Sequence, residues 1–325
     1  MITRLAILNK LADGVFHSGE LLALELGISR AAVWKQVKKL GDMGLVIDSI
    51  RGKGYRLQHA LDLLNIEQIE AGLPETTKAR VSRMDLFAEV DSTNRYLMEQ
   101  SGQSNGAHIC LAEAQNNGRG RRGRAWVSPF ASNVYMSIRW QYATGPMPLS
   151  GLSLALGVAV MRVLSGYTEE GVGLKWPNDI FANGKKLAGI LVEFSGDVSG
   201  PCQVVVGLGL NVRMPAPSSK EIDQPWIDLY SLIGDKCPER NELVAKLITQ
   251  MVEVLNQYPD NGFEPYHQEW DKWDVIRGLP VNINFPNHTK EGVVKGVNTD
   301  GALVLETVSG LEVLNSGEVS LRIKS

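Results

Sequence analysis

The residues best equipped for chemistry are Gly118-Arg119-Gly120-Arg121-Arg122-Gly123-Arg124, followed closely by Trp126. Guanidinium groups give planar, permanent positive charge for phosphate and carboxylate. The interleaved glycines let backbone N–H groups close on an anion, and a nearby indole offers a face for a base. Such a loop holds an anion: a nucleic acid, a dinucleotide or a phosphorylated intermediate. Its glycines match G-x-G-x-x-G at Gly118, Gly120 and Gly123, but a dinucleotide loop must open a helix. Trp126-Val127-Ser128-Pro129 leads instead to a strand, Asn133 to Trp140. No G-x-x-x-x-G-K-[ST] phosphate loop occurs in the chain. The plain alternative is a flexible basic surface loop.

Other polar clusters sit at the ends of predicted strands. Met84 to Val90 reads as a strand, then Ser92-Thr93-Asn94 precedes a helix from Arg95 to Gln100. Ser92 or Thr93 is either a helix N-cap or part of a site for a polar ring. Ala107 to Ala114 is a strand running into Gln115. Leu174-Lys175-Trp176 is a strand ending at Pro177-Asn178, and Asp179 to Ala182 is another. Asn183-Gly184 is a two-residue hairpin turn; counting back from it pairs Phe181 with Lys186 and Ile180 with Leu187. Lys186 thus lies in a rigid hairpin beside the apolar run Leu187 to Phe194. Val204-Val205-Val206 runs into Gly207-Leu208-Gly209-Leu210-Asn211, where glycines mark close approach by a ligand or another backbone.

The elements around these clusters differ along the chain. Ile2 to Leu11 is a short helix. Ser18 caps a second, Gly19 to Leu26, which Gly27 stops, and Ser29 caps a third, Arg30 to Leu40. Val33, Val37 and Leu40 share one face of that third helix, with Ala31, Trp34, Lys35 and Lys38 opposite. Leu45 to Leu57 is a hairpin with a basic tip, Arg51-Gly52-Lys53-Gly54. Helix, turn, helix and basic hairpin in this order form a winged helix, with the lysines for phosphates and the small and aromatic groups for base edges. An exposed helix with solvated lysines is the plainer reading. Residues 58–65 are a connector, with a boundary near 62. Glu239 to Tyr258 and Phe263 to Trp273 are amphipathic structural helices. From Val275 the texture turns all-β: Val281 to Phe285, Gly292 to Val297, Ala302 to Leu305, Leu311 to Leu314 and Val319 to Ile323, with a turn at Asp300-Gly301, make a small, partly closed barrel.

Composition bounds these readings. The 325 residues suffice for two or three cores, and 44% hydrophobic with 21% charged content suits a soluble globular chain. Net charge is −3, yet residues 1–60 hold nine Lys/Arg against five Asp/Glu, or +4, leaving −7 for the rest. A basic N-terminal module on an acidic body implies separate tasks. Three scattered cysteines, Cys110, Cys202 and Cys237, and five histidines show neither a disulfide framework nor metal-ligand spacing, which fits a reducing cytoplasm. No signal peptide opens the chain. The most membrane-like stretch, Leu149 to Leu164, contains Ser150, Ser153 and Arg162 and reads as a buried helix.

Taken together, the winged helix, the α/β body with Ser92-Thr93-Asn94, Gln115, the arginine loop, Lys175-Trp176-Pro177-Asn178-Asp179, Lys186 to Glu193 and Gly207 to Asn211, and the terminal β unit resemble the bacterial bifunctional biotin–protein ligases that double as biotin operon repressors. The resemblance covers essentially the whole chain. It implies an α+β multidomain protein: winged helix-turn-helix over 1–62, a class II synthetase-like mixed α/β ligase domain over 63–273, and an SH3-like β-barrel over 274–325. It implies that biotin and MgATP give biotinyl-5′-adenylate, whose acyl group passes to a lysine of the biotin carboxyl carrier protein of acetyl-CoA carboxylase. The adenylate would also be corepressor, promoting a homodimer on operator DNA in the cytoplasm, away from membranes. No enzyme nucleophile and no tightly bound prosthetic group are implied.

By motif position, Ser92, Thr93, Asn94, Gln115, Gly118, Arg119 and Gly120 would line the biotin end, with Gly207 and Gly209 beside the thiophane ring. Arg121 and Lys186 would contact the carboxylate and later the mixed anhydride. Trp126 would stack on adenine with Asn178 and Asn211 nearby, and Asp179 would help either with the metal that accompanies ATP or with ordering the groups around the site. Arg122 joins the ATP set, and Arg122 and Arg124 either meet pyrophosphate or face solvent. Asn116 and Asn117 depart from the family pattern and take no role. Ser29, Arg30, Ala31, Trp34, Lys35, Lys38 and Lys53 would meet DNA. Two alternatives stay open: a lipoate-type acyl–protein ligase, and a non-catalytic regulator that senses a ligand.

Overall fold

The computed structural model describes residues 2–102, 105–142, 149, 151–168, 171–196, 201–215, 222–285, 287–316 and 319–324. The N-terminal unit is α1 (Ile2–Leu11), α2 (Gly19–Glu25), α3 (Arg30–Gly41) and a hairpin of β1 (Ile47–Ile50) and β2 (Gly54–Leu57). The capping residues act as their types predict. Ser18 Oγ accepts from Glu20 N and Ser29 Oγ from Ala32 N, both at 3.2 Å, and Gly27 ends α2 at φ +63°. Val33, Val37 and Leu40 are buried with Ile7, Leu8, Leu11 and Leu22, while Trp34 is 56% exposed. Phe130 and Ala131, just downstream of the arginine loop, complete this small core.

The body is a seven-stranded sheet, among the described residues, in the order β3-β4-β5-β9-β8-β7-β6. Its strands are β3 (Val81–Phe87), β4 (Ala107–Ala112), β5 (Val134–Tyr142), β6 (Val172–Lys175), β7 (Asp179–Ala182), β8 (Lys185–Gly196) and β9 (Cys202–Leu210). Only β3 and β4 pair in parallel; the other pairs are antiparallel. The helices of the body are α4 (Ile66–Ala71), α5 (Glu75–Lys78), α6 (Thr93–Met98), α7 (Leu152–Leu164), α8 (Leu229–Ile233), α9 (Arg240–Asn261) and α10 (His267–Trp273). The almost wholly buried α7 packs with α9 and one face of the sheet into the main core. The other face carries α6, packed through Leu97 on Cys110 and Val205, and beside it the site.

Several expectations are corrected. The first body strand starts at Val81 rather than Met84 and ends at Phe87, so Val90 only bridges to Gln115. The helix expected over Phe263 to Trp273 is a 3₁₀ turn, Glu264–Tyr266, followed by α10. The pairing of Ile180 with Leu187 is wrong: Phe181 faces Lys186 as counted, but Ile180 faces Ala188. Leu187 is an extra residue in β8, a bulge of the kind that re-aims side chains beside active sites. Three short helices, α4, α5 and α8, had no counterpart in the expectations. Ser150 lies outside the described residues.

The C-terminal strands β10 (Pro280–Asn284), β11 (Thr289–Val297), β12 (Leu303–Thr307), β13 (Gly310–Leu314) and β14 (Ser320–Ile323) form an antiparallel sheet ordered β13-β12-β11-β10-β14. The outer strands β13 and β14 do not pair with each other, so the hydrogen bonding leaves the sheet open. Trp176, buried in the body, donates its Nε1–H to Gly301 O at 3.1 Å and ties this sheet on. Among the described residues no helix is long and apolar enough to cross a membrane.

The connector is clamped by a buried ion pair. Arg240 Nη2 lies 2.8 Å from Glu113 Oε2, and the two side chains are 3% and 8% exposed. Arg240 also donates to Asp62 O at 2.6 Å and to Asn133 O at 2.8 Å, and Leu64 N–H donates to the other Glu113 oxygen at 2.6 Å. Removing one partner of such a pair strands a buried charge, so Glu113→Ala should lower stability by about 3–5 kcal/mol. Denaturant unfolding followed by far-UV circular dichroism measures it; an unchanged midpoint would contradict the clamp.

Candidate functional site

The face of the sheet that carries α6 also holds an open cleft. One end is polar and neutral. Ser92, Thr93 and Asn94 are buried where α6 begins. Ser92 is the N-cap, its Oγ 3.5 Å from Arg95 N, so the capping reading holds for it while it also lines the cleft. Thr93 gives its backbone N–H to Gln115 Oε1 at 3.0 Å, and Gln115 Nε2 donates to Ser128 Oγ at 3.1 Å. Behind them Ser137 Oγ stands 2.7 Å from Thr93 Oγ1 and 2.6 Å from Asn94 Oδ1. Gly207 is required here, because a Cβ on it would fall 2.1 Å from Asn94 Oδ1.

The other end is cationic. The arginine loop does not open an α-helix: it folds back on itself, with Trp126 N–H donating to Gly118 O and Gly120 N–H to Arg124 O, both at 2.8 Å. A tight 3₁₀ turn at Arg121–Gly123 makes the reversal, with Arg122 at φ +58° and Gly123 at φ +70°. Arg121 donates to Asn178 Oδ1 at 3.3 Å and to Ser316 O of the C-terminal unit. Burial holds its guanidinium below the ordinary arginine value, opposed by Asp179 and reinforced by Arg122. Arg122 and Arg124 are exposed at the rim.

Lys186 reaches the floor through the β8 bulge, its Nζ 2.8 Å from Asp179 Oδ1. The ammonium lies off that oxygen's hydrogen-bond direction, so Oδ1 keeps an unfilled acceptor site. Two glycines admit the large groups beside it. A Cβ on Gly189 would lie 3.1 Å from Lys186 Cε, and one on Gly209 would lie 2.4 Å from Trp126 Cε2. The Trp126 ring centroid is 5.4 Å from Lys186 Nζ, and its indole N–H has no hydrogen-bond partner in the structure.

Two expected residues are not brought to the cleft wall. Gly118 is buried beneath the loop, where a Cβ would fall 2.6 Å from Trp126 O. Asn211 gives its amide N–H to Ile227 O at 3.1 Å, fixing the backbone beside Lys186 rather than facing a ligand. The remaining predicted pocket residues line it: Ser92, Thr93, Asn94, Gln115, Arg119, Gly120, Arg121, Arg122, Trp126, Asn178, Asp179, Lys186, Gly207 and Gly209. Residues the sequence reading missed join them, chiefly Lys175, Gln224 and Arg322. Lys175 ends β6 immediately before Trp176 and stood within a family motif without a role of its own; Arg322 arrives from β14, which no local pattern connects to the pocket. Burial pushes the Lys175 ammonium down to about 8, with Asp179 opposing and Arg322, Lys186 and Arg124 adding to the depression. Asp179 is the sole carboxylate among the described lining residues, against seven Lys and Arg side chains. The described residues hold no group of three or more His, Cys, Asp or Glu that could hold a metal.

On the N-terminal unit, Ser29, Arg30, Ala31, Trp34, Lys35, Lys38 and Lys53 are all exposed. Six of them lie on the outward face of α3 or at its cap, and Lys53 is in the hairpin tip.

A winged helix joined to a cleft with a neutral polar end and a cationic end is the build of a DNA-binding protein with a site for an anionic small molecule. Residues 86–211 match the biotin/lipoate A/B protein ligase family, 3–56 an HTH domain and 278–322 the biotin protein ligase C terminal domain. The chain is 38% identical over 318 residues to the bifunctional ligase/repressor BirA of Escherichia coli, covering 98% of this chain and 97% of that one. It is 28% identical to the protein of that name from Bacillus subtilis, covering 95% of each. The solved biotin protein ligase from Aquifex aeolicus in complex with biotin and ATP superposes with a TM-score of 0.64 at 29% identity, over 74% of this chain and 99% of that one. The chain belongs to the bifunctional ligase/repressor family of biotin protein ligases.

The Lys175 ammonium is charged below about pH 8 in the free protein and is lost as pH rises through that value. Pyrophosphate affinity of the wild type should therefore fall about tenfold across that range relative to Lys175→Arg, which stays charged. Calorimetric titration from pH 6.5 to 9.5 tests this; parallel profiles for the two proteins would contradict it.

Proposed function

We propose that this chain is an ATP-dependent biotin–protein ligase that also represses transcription, with biotinyl-5′-adenylate as product of its first step and as corepressor. The observation that carries the reading is a single cleft whose neutral hydrogen-bonding end adjoins a cluster of cations, with Lys175 buried, Arg121 and Lys186 half-buried and the other arginines at the rim. A ureido ring needs short donors and acceptors; a carboxylate meeting a triphosphate needs charge neutralised along the line of attack.

Ser92, Thr93, Asn94 and Gln115, with the backbone at Arg119 and Gly120 and the open surface over Gly207, hold the ring end. Arg121 and Lys186 hold the carboxylate. A carboxylate oxygen bonds to the α-phosphorus, pyrophosphate leaves toward Lys175 and the rim arginines, and the same two cations then neutralise the anhydride. A carrier lysine amine attacks the acyl carbon, AMP departs, and an amide remains. Trp126 supplies the adenine platform, where Gly209 leaves room. Asn178 braces Arg121, Asp179 orients Lys186, and Gly118 and Asn211 shape the backbone. Mg²⁺ enters with ATP as part of the substrate. The acceptor is the biotin carboxyl carrier protein of acetyl-CoA carboxylase, in the cytoplasm.

Working units of 1–62, 63–273 and 274–325 suit this division of labour, with a class II synthetase-like body and the last sheet curling as an SH3-like barrel. The outward face of α3 enters the major groove and Lys53 meets the backbone. Two-fold operator sites call for a homodimer of the adenylate-bound chain. DNase footprinting tests the coupling: protection of a palindromic operator should require both biotin and ATP. Equal protection without them would contradict the corepressor role.

A further inference from the structure

The last residue of the Lys186 to Glu193 segment is left without a task by the chemistry above. Glu193 does not line the cleft, yet Oε2 of its carboxylate accepts from Asn94 Nδ2 at 2.8 Å. The same amide nitrogen donates at 3.4 Å to Leu191 O. On its other side Asn94 Oδ1 accepts from Ser137 Oγ at 2.6 Å and lies over the bare Cα of Gly207. Asn94 is 3% exposed.

An asparagine amide has two orientations that differ by exchange of oxygen and nitrogen, and its hydrogen-bond partners decide between them. Here one side offers only acceptors, a carboxylate and a backbone carbonyl. Turning the amide over would set Oδ1 against both, leaving two buried acceptor contacts with no proton between them. A negative partner on Nδ2–H also polarises the amide and makes Oδ1 a stronger acceptor.

We infer that Glu193 is a positioning residue: through Asn94 it fixes the polarity of the ring-recognition wall, so that the wall presents an acceptor and selects a ligand carrying an N–H at that point. The inference rests on the reading of the cleft as a biotin site. Ser137 secures the same orientation from the opposite side, since its hydroxyl can donate to Oδ1. Gly207, by carrying no side chain, leaves the space that Oδ1 occupies.

The test is calorimetric titration of the full chain with biotin and with biotin methylated at a ureido nitrogen, one probe with each N–H and the others with one removed. Wild type should prefer biotin by about tenfold or more over one of the two methylated isomers. Glu193→Leu, similar in bulk but without an acceptor, should bind biotin about tenfold more weakly and lose that preference. Glu193→Gln, whose amide oxygen still accepts from Asn94, should keep most of both. ATP affinity should stay at the wild-type value in each variant, which also reports that the chain is folded. Should Glu193→Leu not fold, the Gln variant compared with Ser137→Ala carries the test: Ser137→Ala should lose preference while Glu193→Gln retains it. Wild-type biotin affinity in Glu193→Leu, or an equal loss for biotin and its methylated forms with preference intact, would overturn the inference. Absence of biotin binding by the wild type would overturn the reading of the cleft itself, and the inference with it.

Discussion

Gathering like charges around one cleft is the constraint on which the rest of this structure depends. Seven cationic side chains face one cleft beside a single carboxylate among the described lining residues. Desolvation opposes the charge on Arg121 and Lys175. Such groups stay aimed inward only if rigid elements hold them. Lys186 comes from a bulged strand, Lys175 from the end of β6, Arg121 from a loop pinned to Asn178 and Ser316, and Arg322 from another sheet altogether. An anion that enters relieves the repulsion, and so binding and order in this region are coupled by electrostatics.

The same segments reach the DNA-binding unit. The chain leaving the arginine loop passes through Trp126, which lines the cleft, and Ser128, which accepts from Gln115, and arrives at Phe130 and Ala131 in the winged-helix core. On the opposite flank Glu113, two residues before Gln115, clamps the connector through Arg240. Both ends of one stretch, residues 113–131, thus meet the winged helix or its connector, and its middle lines the cleft.

Local chemistry made much of this legible. Ser18, Ser29 and Ser92 are caps by residue type, and each caps. The arginine loop was distinguished from a dinucleotide loop by Trp126 to Pro129, and it folds back into a hairpin-like turn. Asn183-Gly184 set the Phe181–Lys186 pair correctly. What escaped depends on distant partners. Leu187 has nothing in its type to mark it as the extra residue of a bulge. Arg240 and Glu113 are 127 positions apart, and a charged residue at a helix start suggests solvent rather than a buried pair. Arg322 becomes a pocket residue only once two sheets are joined through Trp176 and Gly301. Asn211, by contrast, was over-read: a polar residue after a glycine-rich strand looked like a ligand contact, whereas it satisfies backbone carbonyls.

The central claim is that one cleft joins a carboxylate to a nucleotide by positioning and charge alone. Exchange of labelled pyrophosphate into ATP, with no carrier protein present, reads that step directly. Exchange should require biotin, and Lys186→Met should slow it by about 100-fold or more. Exchange that proceeds equally without biotin, or that survives loss of Lys186 at the wild-type rate, would contradict the account.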